Sequence, residues 1–217
     1  MKKILWFVVL LAALTVSACA TAAPAPTELK NPTITLNTVQ VQNYFAPPWP
    51  AWPAPIPSST PPPAGTPTPV YVPANPASPN VPMVLAFVWD INNPNDVAVT
   101  LDQMKFTVEF EAAPSKPGEY FAVQSPMVYE KQTIPAKTTN QLRVVVVLNA
   151  ALLPGNLLVT NGQRLTALGL TDTNSVIRDW WNNVPDSKFG IKASQGTADF
   201  SGGGAKKIVT FDGKFPK

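Results

Sequence analysis

The chain has few side chains able to do chemistry, and the most distinctive is Cys19, its only cysteine. A lone thiol can be alkylated or oxidised but forms no intrachain disulfide, so the folded part must hold together through its core. Histidine is absent. That removes the commonest general base, the commonest metal ligand and every nucleophile–imidazole pair. Carboxylates remain, yet spacing marks out no two of them as an acid–base pair. Asp90 and Asp96 bracket Asn92-Asn93-Pro94-Asn95, a stretch that offers oxygens to a hard cation but lacks the acidic end point of a calcium loop. Asn and Asp there suit a turn instead. Gly202-Gly203-Gly204 lies between strand-like runs and precedes no helix, so it reads as a hairpin or loop, not a phosphate cradle. We expect no catalytic residue, no metal and no cofactor.

The surroundings of Cys19 give its thiol a specific fate. Lys2 and Lys3 precede an apolar run from Ile4 to Val16, which is shorter than the ~20 residues a bilayer core requires. Residues 1–18 therefore read as a signal peptide and not as a spanning helix. Val16-Ser17-Ala18-Cys19 resembles the bacterial lipobox, in which an aliphatic residue and two small residues precede a cysteine that receives a diacylglyceryl thioether. The resemblance implies an exported protein anchored to the envelope membrane by lipid at Cys19. Ala20, not an aspartate, follows the cysteine. In a two-membrane cell the resemblance then favours the outer membrane, and otherwise the outer face of the cell membrane.

Removing the signal peptide leaves 14 basic against 13 acidic residues, so the formal charge of +3 falls to +1 and carries no message about nucleic acid. Charged residues make up 13% of the chain, about half the usual share, so Thr, Asn, Gln, Ser and Pro must supply much of the polar surface.

Residues 19–30 contain Pro24 and Pro26 without apolar periodicity and read as a lipidated tether. From Thr33, alternation through Ile34, Leu36, Val39 and Val41, with a slip near Asn37-Thr38, predicts a strand with a bulge. We assign 31–45 to the first strand of a sandwich, the alternative being a continuation of the tether. Residues 46–82 form a proline-rich insertion, a composition that excludes helix and central strand. Trp49, Trp52 and Tyr71 lie within it and must dock on the domain, touch lipid or contact a partner.

Strand signals dominate 83–217. Met83–Ile91 is strongly apolar. Val97–Glu111 alternates with a parity change near Asp102-Gln103, predicting two strands or one bulged strand. Glu119–Val123 and Val128–Ile134 are weaker candidates, and Leu142–Leu148 is the clearest. Phe87, Trp89, Val145 and Val147 are expected in the core. Between Asn149 and Pro185 the period becomes helical in part, with Thr173 or Asn174 as cap and Val176, Ile177, Trp180 and Trp181 one turn apart. At least Trp180 should be buried. Phe189–Ala193, Thr197–Ser201 and Lys206–Phe211 return to strand. Seven or eight short strands predict an all-β antiparallel sandwich with one or two short helices.

Val88-Trp89-Asp90-Ile91-Asn92-Asn93-Pro94-Asn95 with alternating Val97, Val99 and Leu101 resembles the Asn-Pro-Asn turn of the late-embryogenesis-abundant type 2 family, the water-stress and hypersensitive-response domain. Ile134-Pro135-Ala136-Lys137 before Leu142–Leu148 resembles that family's turn into a central strand. Ile191 to Phe215, ending Phe211-Asp212-Gly213-Lys214-Phe215, resembles its closing hairpin. The resemblance implies an immunoglobulin-like or fibronectin-like sandwich without catalysis, serving stress protection or interaction at the membrane surface. The proline-rich insertion departs from the family pattern. Two other readings stay open: a lipid or small-molecule binding protein with an apolar groove between the sheets, and a structural subunit contacting an envelope protein through the proline-rich segment.

Overall fold

The computed structural model describes residues 28–44 and 81–216. Residues 1–18, read above as a signal peptide, Cys19, and the aromatic residues Trp49, Trp52 and Tyr71 lie outside the described residues, as do Val16, Ser17 and Ala18 within that stretch. Among the described residues, nine strands and two helices follow in the order β1 (Thr33–Tyr44), β2 (Pro82–Asn92), β3 (Val99–Glu111), β4 (Tyr120–Gln124), β5 (Met127–Val128), β6 (Gln132–Ile134), β7 (Thr139–Asn149), α1 (Leu153–Ala167), α2 (Thr173–Asn183), β8 (Ile191–Gly202) and β9 (Ala205–Phe215).

All strand pairs are antiparallel and form two sheets, so the fold is an all-β sandwich with two short helices. One sheet is β1-β2-β7. In the other, β3 pairs with β8 and β9 follows on that side, while β4, β5 and β6 take successive stretches of the opposite edge of β3. Six strands run to between 11 and 13 residues, longer than the short strands expected. In β1, β3 and β8 bulges account for the length, because an extra residue resets the alternation without ending the strand, whereas β2 and β7 pair over eleven residues with no shift. Register shifts fall at Leu36/Thr38 in β1, at Leu101/Gln103 against β8, and at Ala193/Gly196 in β8. The expected Val97–Glu111 stretch is thus served by one bulged strand that starts at Val99, and the two segments expected at 189–201 merge into β8. The β8–β9 turn is Gly203-Gly204, whose φ values of +54° and +79° suit the tight reversal of a two-residue hairpin.

The inward faces interlock through aromatic rings. Trp89 of β2 meets Phe106 of β3 at 5.2 Å between centroids and Phe211 of β9 at 4.9 Å, both edge-on. Phe87 packs on Phe106 at 5.3 Å. Such pairs add about 0.5–1.5 kcal/mol each beyond the area they bury. At one margin β9 presses against β1: a side chain at Gly213 would put its Cβ 2.6 Å from that of Leu36, so only hydrogen fits.

The expected core positions Phe87 and Trp89 are fully buried, whereas Val145 and Val147 are 53% and 54% exposed. In β7 the buried residues are Leu142, Val144, Val146 and Leu148. A run of valines is apolar on both faces, so hydrophobicity alone does not say which parity turns inward.

The helices close the end of the sandwich near Glu111. In α2, Asp172 is the cap, accepting from the amides of Asn174 and Ser175 at 3.1 and 3.3 Å, so neither Thr173 nor Asn174 fills that role. Val176, Ile177, Trp180 and Trp181 are all buried. Trp180 donates its indole N–H to the Glu111 carbonyl at 2.8 Å and stands edge-on to Phe110. Helix α1 starts with Pro154 in its first turn, leaves helical geometry at Asn161, and buries Leu153, Leu157 and Leu165. Leu170 N–H caps it by donating to the Leu165 carbonyl at 2.8 Å.

Candidate functional site

The residues with the richest polar chemistry gather at one end of the three-stranded sheet, around Asn93-Pro94-Asn95. Proline removes a backbone donor and fixes φ, and Asn folds its side chain onto nearby backbone, so the chain reverses here after β2. Asn93 is fully buried. Its amide nitrogen points at three carbonyls, those of Val97 at 2.9 Å, Ile134 at 3.1 Å and Pro135 at 3.0 Å. Its carbonyl oxygen accepts from the backbone and side-chain N–H groups of Asn95 at 3.0 and 2.9 Å. A polar side chain out of water must find such partners, and Asn93 does so by joining this turn to the turn at 134–138.

The second turn completes the junction. Asn93 N–H donates to Thr138 at 2.9 Å and Lys137 N–H to Asn95 at 3.1 Å. Lys137, at φ 57°, reaches back with its ammonium to the Pro94 carbonyl at 2.9 Å and to Asp96 at 3.0 Å. The hydrogen bond and the charge of Lys137 hold the Asp96 carboxyl below its ordinary range. Elsewhere, burial pushes the Asp179 carboxyl up.

Asn95 fastens a third segment. Its side chain accepts from Lys30 N–H at 2.7 Å and donates to the Lys30 carbonyl at 3.0 Å, as a neighbouring strand would. Leu29 beside it is 3% exposed. The tether, drawn to Lys30 from sequence, therefore gives way to folded chain by Leu29.

Asp90, weighed as a cation ligand, accepts from the side chains of Asn37 at 2.7 Å and Gln141 at 2.9 Å, binding β1, β2 and β7 across their outer face. Asp96 is taken by Lys137. Two carboxylates that spacing did not single out, Glu109 and Glu111, share one face of β3. Glu109 accepts from Ser194 Oγ at 2.6 Å, while Glu111 accepts from the amides of Gly118 at 2.9 Å and Gly190 at 3.1 Å. The i, i+2 spacing on a strand was the available signal. Both hold neighbouring chain in place.

Open depressions lie elsewhere. One of about 640 Å³ is lined by Asp102, Lys131, Asp199, Ser201, Lys206 and Lys207 among others. Another of about 520 Å³ lies at the β8 bulge beside Phe211. Between the sheets, Phe87, Trp89 and Phe106 occupy the space. Among the described residues, no group of three or more His, Cys, Asp or Glu side chains is placed to hold a metal ion, and no helix is long and apolar enough to cross a membrane.

No protein-family model matches the chain, and no curated protein matches it. Solved structures similar to it include a protein from Archaeoglobus fulgidus, with 12% identity over 61% of this chain and 82% of that one and a TM-score of 0.35. A target of the Northeast Structural Genomics Consortium shares 11% identity over 86% of each chain, with a TM-score of 0.37. A protein from Arabidopsis thaliana, solved in solution, shares 9% over 90% of this chain and 87% of that one, with a TM-score of 0.36.

Proposed function

We propose that the chain is an exported lipoprotein whose acylated Cys19 holds a non-enzymatic sandwich of the late-embryogenesis-abundant type 2 kind, immunoglobulin-like or fibronectin-like in type, at the envelope membrane. Its role in this reading is protection or interaction at the membrane surface. The observation that carries the proposal is the Val16-Ser17-Ala18-Cys19 box behind a short apolar run and two lysines. The engaged carboxylates support the non-enzymatic part: Asp90, Asp96, Glu109 and Glu111 each hold one segment of the fold to another. The two turns that carry the family resemblance are the two that Asn93 joins, which gives that pattern a physical purpose.

The test is metabolic labelling with a fatty acid. The chain should take up label, and Cys19→Ser should take up none, because only a thiol forms the thioether. Label retained by the serine variant overturns the proposal.

A further inference from the structure

On the outer face of β1-β2-β7 the surface changes character along the strands. Near the Asn93 turn it is the ladder of Asn37, Asp90 and Gln141. In the middle, Gln42 of β1 and Arg143 of β7 bond to one another above β2, where Ala86 is fully buried and Val88 is 9% exposed. Beyond them, Val147 stands opposite Val84, and Val145 opposite Ala86. Val145, Val147 and Leu152 are 53%, 54% and 65% exposed, and a groove of about 260 Å³ beside Val147 and Leu152 is lined also by Val123 and Leu153 and by the polar Gln124, Asn149 and Asn156. Val145, Val147 and Leu152 thus form an apolar strip with Gln124, Asn149 and Asn156 at its rim, not a scattering of single residues.

The internal stretch outside the described residues, 45–80, is flanked on both sides by chain at this strip. Tyr44 pairs with Met83, which pairs with Leu148, and Ala150 N–H donates to the Val81 carbonyl at 3.1 Å. Residues 45–80 thus leave and return at the apolar end of the sheet. They carry no Asp, Glu, Lys or Arg, and they include Trp49 and Trp52. Two strand spacings, about 10 Å, separate β1 from β7. Trp49 and Trp52 follow Tyr44 by a chain reach of roughly 15 and 25 Å at ~3.1 Å per residue. Proline cannot donate to a ladder, so such a segment is poorly suited to extending the β7 edge and well suited to an apolar surface.

We propose that this strip is the docking surface of the chain's own proline-rich segment, with Trp49 and Trp52 covering Val145 and Val147. The occupant is intramolecular, and the dock does not depend on lipidation.

The test uses the full chain in phosphatidylcholine vesicles, with Val145→Cys or Val147→Cys as a maleimide target and Ile208→Cys, on an exposed position of β9, as reference. Labelling is read by mass spectrometry on the peptide concerned, so Cys19 stays in place. Because a covered thiol reacts only through its open fraction, Val145→Cys should label on the order of tenfold more slowly than Ile208→Cys. Adding Trp49→Ala and Trp52→Ala should restore the reference rate. Equal rates at the outset overturn the proposal. Protection that survives the two alanines names lipid or another occupant, and protection that rises with protein concentration names a second copy; either result also overturns it.

Discussion

The three-stranded sheet is finished differently at its two ends, although the same strands run through both. At the Asn93 end every strand is followed or flanked by a polar residue that reaches across to another segment: Asn93 to the 134–138 turn, Asn95 to Lys30, Asp90 to Asn37 and Gln141. At the other end the outward residues are Val84, Val145, Val147 and Leu152, whose apolar side chains make no hydrogen bonds. The first end gains its definition from hydrogen bonds that are costly to leave unmade. The second is closed by backbone bonds such as Ala150 N–H to the Val81 carbonyl, with its outward side chains left apolar. The contrast predicts that single side-chain losses cost more at the polar end, and it leaves surface for another segment at the apolar end.

The largest effect that would sharpen this contrast is expected from Asn93→Ala. It strips three carbonyls of a donor and Asn95 of its acceptor inside the fold, and should cost about 3 kcal/mol in urea unfolding. A loss below about 1 kcal/mol would mean that water replaces the side chain and that the junction is not a stability centre. At the opposite end, Val145→Thr with Val147→Thr keeps the branched shape at half-exposed positions and should cost less than about 1 kcal/mol. A larger loss would reverse the ranking of the two ends.

The smallest effect is a pH dependence at the polar end. Asp96 is exposed, and its depressed carboxyl contributes stability that is present above the unfolded value of 3.8 and lost as pH falls through the lower folded value. Unfolding curves of the chain and of Asp96→Asn should therefore differ slightly at neutral pH and converge below about pH 3.8. A difference that persists in acid would show that Asp96 acts through something other than its charge.

Much of the sheet was legible because alternation survives bulges: the slips at Asn37-Thr38 and Asp102-Gln103 sit at register shifts in the ladders. The Asn92–Asp96 stretch was legible as a turn from residue type. Its partner was not, because Ile134–Thr138 is some 40 residues away and no local rule specifies which carbonyls an amide will reach. Val145 and Val147 were misplaced because a sheet face left open by the described layers can carry the same residues as a core. Helix α1 did not stand out, since Gly155, Val159, Thr160 and Gly162 are weak helix formers and its burial of Leu157 and Leu165 spans a break at Asn161. The cap of α2 was displaced by one or two positions because Asp172, Thr173 and Asn174 can all serve. Cys19 and its box, the candidate lipidation site, rest on the sequence alone.

The clip of Lys30 onto Asn95 gives the domain a direction. With Cys19 acylated as proposed, about nine residues separate the lipid from Leu29, a leash of roughly 30 Å at most. It is attached at the Asn93 pole. β2 spans 11 residues from Pro82 to Asn92, which places the opposite pole on the order of 35 Å away. On that proposal the hydrogen-bonded pole is the one tethered to the bilayer, and Tyr44 and Val81, between which the proline-rich segment runs, lie at the far pole.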